Sequence, residues 1–526
     1  MKKLLKKENL FTFIFILVVL HPVIELDYLL EPYLGSVPRL TTVIDFVILP
    51  ILVVLVFFFF ENHKKKVLVV FGLYIFLFGL YFVVHCLSAN NIQNTIHLTT
   101  NFYFNVVDEV VYTVVLLLPL AYIYVFNLST IGETILKKIS ILLSTLISVP
   151  IFLSNILTFG MSTYVGYTKQ NIFSWFSLPY NAYANHPRKY ATKFFFEEGN
   201  TIGILLAILL PLMFYFFYTE KSKTKKVLIS ILILIQSLSM LMLSTRLATY
   251  CSALIPLTIL VVYIILLALR KEKLQKAFIL LLIVMTAITS LIIPYGPAYQ
   301  NQLIDAQSYS VVKKDDGIRS NARELLQGGE KLGKWSEPWR DFYVYMFEDY
   351  KFLMNVTPPI YYIEWYDYKY DPQFWVDLIF DYELEERING RQIETIFTNY
   401  KWDELSNTQK LVGLGYGTFM RGGINIERDF IQQYYSFGPV GVLLIMGLWI
   451  VLVVYSGIKI LLGYKDNKWT LFNIVLFMSI CLGLASGIVS GHTFDELTTS
   501  LVIGLYLSCL LKQLKERKTS QIVEKV

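Results

Sequence analysis

Hydrophobic and polar positions along this chain separate into long apolar runs and one long polar segment. Apolar windows of about 20 residues, the length a helix needs to cross a bilayer, fall at 10–29, 41–60, 67–87, 106–126, 139–160, 199–218, 227–244, 247–269 and 277–296, and again at 433–456, 470–490 and 496–511. Between the ninth and tenth windows lies a hydrophilic segment, 298–431. The pattern predicts an all-α integral membrane protein with about twelve transmembrane helices. Its expected domains are an N-terminal bundle of about nine helices (1–297), a loop domain of mainly short helices (298–431), and about three C-terminal helices with a tail (432–526).

Composition agrees with a lipid environment. The charged fraction is 16%, against about 25% in soluble chains. The run at 10–29 follows the basic start Lys2, Lys3, Lys6 and Lys7 as a signal peptide would. No small-residue cleavage site follows it and further apolar runs come directly after, so it reads as a first membrane helix.

Lysine and arginine set the expected orientation. Alternate connections carry Lys2 to Lys7, Lys64 to Lys66, Lys137 and Lys138, Lys221 to Lys226, Arg270 to Lys276, Lys465 and Lys468, and Lys512 to Lys525. The other short connections hold Arg39 in one, none in 88–105, and Lys169, Arg188, Lys189 and Lys193 in the longer 161–198 connection. The positive-inside rule then puts both termini in the cytoplasm and the large polar segment outside it. The net charge of +6 belongs mostly to cytoplasmic loops facing anionic membrane lipid, and nucleic acid is not implied. The four cysteines lie in apolar runs and the six histidines are scattered, so neither a disulfide framework, a metal site nor another cofactor is expected.

Ionisable residues in or beside spans are expensive and usually functional. Glu25, Asp27, Asp45, Asp108, Glu109, Arg246, His492, Asp495 and Glu496 all fall near the outer ends of their helices in this topology. Interfacial contact with water explains any one of them equally well. Arg246 stands in Leu243-Ser244-Thr245-Arg246-Leu247, with almost no residues left for a loop. A guanidinium fixed there suits a phosphate, through bidentate hydrogen bonds and permanent charge; the competing reading is an interfacial arginine. No midplane acid and no internal repeat supports alternating access.

The polar segment is dense in aromatics, notably Trp365, Tyr366 and Trp375. Such faces beside carboxylates suit sugar rings, and they equally suit a small hydrophobic core or an interfacial belt. Short helices are expected at 319–327, 341–353 and 392–400, with turns at Gly328-Gly329 and Pro358-Pro359. The cluster Gly413-Leu414-Gly415-Tyr416-Gly417 demands tight backbone geometry and is weak as a nucleotide loop. Beyond it come Glu427-Arg428-Asp429 and then Gly438-Pro439-Val440-Gly441, which opens a span. Glu427 and Asp429 are candidate bases, although a solvated acidic turn would look the same.

This order of features resembles the O-antigen ligase and O-antigen polymerase superfamily of membrane glycosyltransferases. The resemblance rests on about twelve helices, a long loop before the last few, Ser244-Thr245-Arg246 at a helix end, Asn389-Gly390-Arg391 starting a helix, the glycine cluster, and an acid about ten residues ahead of Gly438-x-x-Gly441. It implies a bacterial cytoplasmic-membrane enzyme whose site faces outward. An acceptor hydroxyl, on a glycan or a lipid, attacks the anomeric carbon of a glycan carried on undecaprenyl diphosphate, without metal or nucleotide sugar. Carried over by position, Arg246 and Arg391 bind the diphosphate and Glu427 activates the acceptor, with Arg340 and Asp429 as the substitutes for Arg391 and Glu427. Where ligases have a histidine followed by a small polar residue this chain has Glu427-Arg428, which favours polymerase over ligase. A flippase or other transporter of lipid-linked oligosaccharide is the alternative, marked by charges lining the bundle at mid-depth. A non-catalytic scaffold that binds glycan is a third reading.

Overall fold

A computed structural model describes residues 6–163, 172–177, 189–312, 316–329, 331–354, 359–387, 389–466 and 468–515. Lys169, Arg188, Pro358 and the basic tail beyond Lys515 lie outside these residues. Twelve helices among them are long and apolar enough to cross a membrane. They are α1 (Lys7–Leu34), α2 (Leu40–Phe60), α3 (Lys64–Asn90), α4 (Val106–Leu128), α5 (Glu133–Leu157), α6 (Gly199–Thr219), α7 (Lys223–Met242), α8 (Arg246–Ala268) and α9 (Lys276–Ile304). The polar segment then supplies α10 (Asp316–Gly329), α11 (Glu337–Tyr350), α12 (Pro372–Asp381), α13 (Gly390–Asp403), α14 (Asn407–Val412) and α15 (Tyr416–Arg421). The last spans are α16 (Asp429–Leu462), α17 (Leu471–Val489) and α18 (Leu497–Lys515). Each predicted apolar window falls on one of these helices. The only β pairing among the described residues is an isolated bridge between Ser162 and Thr192.

The chain forms two compact units. One comprises Met1–Gly72, Thr113–Gln302 and Ile445–Val526. At its centre α6, apolar on every side, is buried over almost its whole length, as such a helix must be, and it packs on α5, α7, α8, α17 and α18. Polar side chains knit these helices where lipid offers no partner. Ser144 donates to Gln236 Oε1 at 2.7 Å, Gln236 Nε2 to the Leu206 carbonyl at 2.8 Å, and Ser239 to the Ser148 carbonyl at 2.7 Å. Glu25, Asp27 and Asp45, acids expected at span ends, also have partners here. His21 lies 2.8 Å from Asp45 and 3.1 Å from Glu25, and Arg39 bridges Asp27 and Glu197.

The other unit comprises Leu73–Tyr112 and Leu303–Leu444. It thus takes in α3 from Leu73 onward, the start of α4, the connection between them, and the first part of α16 along with the polar segment. The physical reason is a single apolar core. Ile92, Ile96 and Phe102 of that connection pack with Trp339, Phe347, Tyr366, Phe374, Trp375 and Phe397 of the polar segment.

Candidate functional site

Within the second unit, α13 begins on an Asn389 cap whose side-chain oxygen accepts from the Arg391 N–H at 3.1 Å, an interaction that satisfies one orphan donor of the first turn. Ile393, Phe397 and Lys401, spaced by four, are buried along one stripe of the helix. Arg391 and Glu394, three apart, share the neighbouring face. Gly390 admits the Tyr361 hydroxyl, which a β-carbon there would strike.

Arg391 forms an ion pair with Glu427. Glu427 stands in the connection just before α16, anchored through Ile426, whose N–H donates to Gln432 Oε1 at 2.9 Å. Both side chains keep access to solvent, 41% for Arg391 and 31% for Glu427, so the pair can meet a ligand. Glu394 is half-buried one turn along α13. Burial, then the Glu427 charge, push its carboxyl up to about 8, with Arg391 opposing. Burial and the charges of Glu394 and Glu427 likewise raise the Tyr361 phenol. Two carboxylates with such different surroundings can take different roles at neutral pH, one held neutral and one paired to a cation.

Glu394 and Tyr361 also line a cavity of about 540 Å³, with Glu364, Trp365, Asn101 and Arg421 among others; Arg391 and Glu427 are not among its lining residues. Aromatic faces, carboxyls, an amide and a guanidinium together offer what a sugar ring presents, apolar C–H faces with hydroxyl edges.

Of the aromatic residues expected to contact glycan, Trp365 lines this cavity with 7% of its surface exposed. Tyr366 and Trp375 require correction. Both are wholly buried; the Tyr366 hydroxyl bonds Asp371 at 3.0 Å and the Trp375 indole donates to the Tyr366 carbonyl at 2.8 Å. No ring face is left for a sugar, and the hydrophobic-core reading is the one they fulfil.

Arg340 is exposed on α11, where its charge bears on Tyr370; it is not among the cavity residues. Asp429 is buried in the first turn of α16, where a carboxylate offsets the positive end of the helix dipole. Arg246, in the first unit, is exposed at the first position of α8, after a Thr245 cap and a Ser244 held at φ +55°. A positive φ at a serine is strained backbone, kept only where surrounding structure imposes it.

The glycine motifs prove to be packing devices. Gly413 and Gly438, at φ +91° and +66°, meet backbone to backbone, and a β-carbon on either would collide with main-chain atoms of the other's segment. The Leu414 and Gly415 N–H groups donate to Tyr435 and Ser436 carbonyls at 2.8 and 2.9 Å. Gly441 leaves room for the Tyr81 hydroxyl.

Sequence inspection did not single out Glu394, Tyr361 or Arg421. For Glu394 a signal existed, its i,i+3 spacing from Arg391. Arg421 pairs with Asp108 at 2.6 Å across 313 positions of chain, a separation that carries no local signal.

A family model described as O-antigen ligase like membrane protein matches residues 7–517 of the chain. No curated protein matches it.

Proposed function

Since this chain belongs to the family of O-antigen ligase like membrane proteins, and is thereby a membrane enzyme that acts on surface polysaccharide, we propose that it polymerises surface glycan from an undecaprenyl-diphosphate-linked donor. The observation that carries this reading is the Arg391–Glu427 pair, whose charges act on Glu394, itself a lining residue of an aromatic-lined cavity. The acceptor is a glycan hydroxyl. Its oxygen forms the new bond to the donor's anomeric carbon while Glu427 takes its proton. The bond from that carbon to the phosphate oxygen breaks, and the diphosphate departs with the electron pair.

Diphosphate is a good leaving group, so the protein's part is to orient the hydroxyl and hold developing charge with preorganised cations. Arg391, with donors beyond those used on Glu427, and Arg246 are assigned to phosphate. Trp365 and Tyr361 are assigned to the sugar face. Glu427-Arg428, in place of the histidine and small polar residue of ligases, favours growth of a chain over its transfer to a lipid anchor. Deleting the gene and sizing the surface polysaccharide tests this. Single repeat units in place of long chains support polymerisation, whereas long chains left on lipid assign the protein to ligation, and an unchanged profile defeats both.

The site is proposed to face outward from the bacterial cytoplasmic membrane, with both termini inside, on the alternation of basic connections. In a cysteine-free background, a cysteine at exposed Glu337 is expected to react with an impermeant thiol reagent on intact cells, and one at exposed Lys223 only after lysis. The reverse pattern would invert the orientation.

Glu394 gives a pH signature. Its carboxyl is raised from 4.5 to about 8, so the neutral form is the one the fold favours. Its contribution to stability is complete below the ordinary carboxylate value and is lost as pH rises through about 8. Asp377, raised to about 7 by burial and by Asp381 and Asp371, adds a second loss with the same sign. In an Asp377→Asn background, the thermal midpoint in detergent is expected to fall through about pH 8, and Glu394→Gln to flatten that fall. Equal falls with and without Glu394 would mean that its carboxyl is not held neutral.

A further inference from the structure

We propose that His85 and Glu109 are positioning residues for the transfer reaction, forming a latch that shares one proton and fixes the glycine loop and, through α15, the Arg421 wall of the cavity. Both side chains are fully buried. His85 Nδ1 lies 2.7 Å from the Val412 carbonyl and its Nε2 lies 2.8 Å from Glu109 Oε1. The other Glu109 oxygen accepts the Gly417 N–H at 2.7 Å. The pair therefore grips the glycine loop at both ends, at the carbonyl before Gly413 and at the amide that opens α15.

Proton counting gives the latch its character. A carbonyl oxygen only accepts, so Nδ1 must carry hydrogen to bond Val412. Nε2 and Oε1 then need one further proton between them, either on the imidazole, leaving imidazolium and carboxylate, or on the carboxyl, leaving two neutral groups. Without it two lone pairs would face each other at 2.8 Å, too close for anything to come between them, an arrangement burial makes expensive. Tyr81 and Phe437 close the surroundings, with ring centroids 5.8 and 5.2 Å from the imidazole. The Tyr81 hydroxyl donates to the Phe437 carbonyl at 2.5 Å.

The consequence for the site runs through α15. Its last residue is Arg421, paired with Asp108, the residue next to Glu109. Arg421, Gly422 and Gly423 together line the cavity that Glu394 and Trp365 also line. Adjacent side chains at the start of α4 thus hold the two ends of α15, Glu109 at Gly417 and Asp108 at Arg421. Displacing a wall by about 1 Å costs a reaction on the order of a hundredfold.

The test uses the full-length protein in detergent for hydrogen exchange at residues 414–417, and a deletion strain carrying each variant for polysaccharide length. Glu109→Gln supplies the shared proton permanently: its amide N–H donates to neutral His85 while its oxygen accepts from Gly417. It is expected to match wild type in both measurements. Glu109→Ala and His85→Ala are expected to speed exchange by about tenfold or more and to shorten the polymer while the protein still accumulates. Fast exchange in Glu109→Gln would overturn the latch by showing that charge, not the shared proton, is what matters. Slow exchange in Glu109→Ala, or fast exchange with full-length polymer, would overturn it too. Should Glu109→Ala fail to accumulate, Glu109→Gln decides alone. The polymer arm rests on the transfer reading proposed above; the exchange arm does not, so failure of that reading leaves the latch still testable.

Discussion

Glu427→Gln is expected to lower polymer formation by about a hundredfold or more, with the protein inserted and its donor still bound. The amide keeps the size of the side chain and a hydrogen bond to Arg391, but it has no lone pair basic enough to take a hydroxyl proton. The loss should therefore fall in turnover and leave donor affinity near its starting value. Glu427→His is expected to recover part of the rate, since a neutral imidazole at similar reach also accepts a proton. Asp429→Asn is the control. Asp429 is buried at the start of α16, so its substitution should lower stability through the helix terminus and leave the rate per folded molecule intact. Wild-type polymer from Glu427→Gln together with none from Asp429→Asn would move the base two residues along the chain.

The spans were legible because lipid imposes a coarse rule, about 20 apolar residues per crossing, and every predicted window lies on an observed helix. The interior of the polar segment was not legible to the same degree. Its aromatics follow one after another from Tyr361 to Tyr370, and a stretch so uniform does not announce which rings face inward. Folding decides that by giving Tyr366 to Asp371 and Trp375 to a backbone carbonyl, while Gly423, at φ +89°, leaves space for the Trp365 ring. The partition of the chain was obscured for the same reason, because Ala89, Ile92, Ile96 and Phe102 complete a core whose remaining members lie more than two hundred residues later.

The site divides along similar lines. Arg391 and Glu427 were identified by position in a motif, and the structure adds that they form an ion pair. Glu394 needed only the helical period to be placed on the same face as Arg391. His85 is a single histidine in a long apolar helix, and nothing local distinguishes it from a core residue; its meaning comes from Glu109, Val412 and Gly417 converging on it. The glycines carry the reverse lesson. Their spacing belongs to the family resemblance, yet in this structure they secure backbone contact between the loop and α16, and a ligand is not required to explain them.

Arg246→Lys is expected to cut polymer formation by about tenfold to a hundredfold with normal accumulation in the membrane. The residue sits at the first position of α8, a helix whose opening N–H groups have no partners within it. Such a terminus attracts phosphate through its amides and dipole, and a guanidinium there adds a planar fork that matches two phosphate oxygens at once. Lysine keeps the charge, so attraction at a distance survives; what it loses is the paired geometry that holds a leaving diphosphate as charge builds on it. The turn before it bears on the same point. Ser244 accepts φ +55° and Leu243 is buried, so the chain fixes the base of α8 at a conformational cost while Arg246 remains exposed. An arginine serving only as an interfacial anchor would tolerate lysine, because both chains reach the headgroup layer. Polymer of wild-type length and yield from Arg246→Lys would assign it that anchoring role and leave phosphate recognition to the second unit.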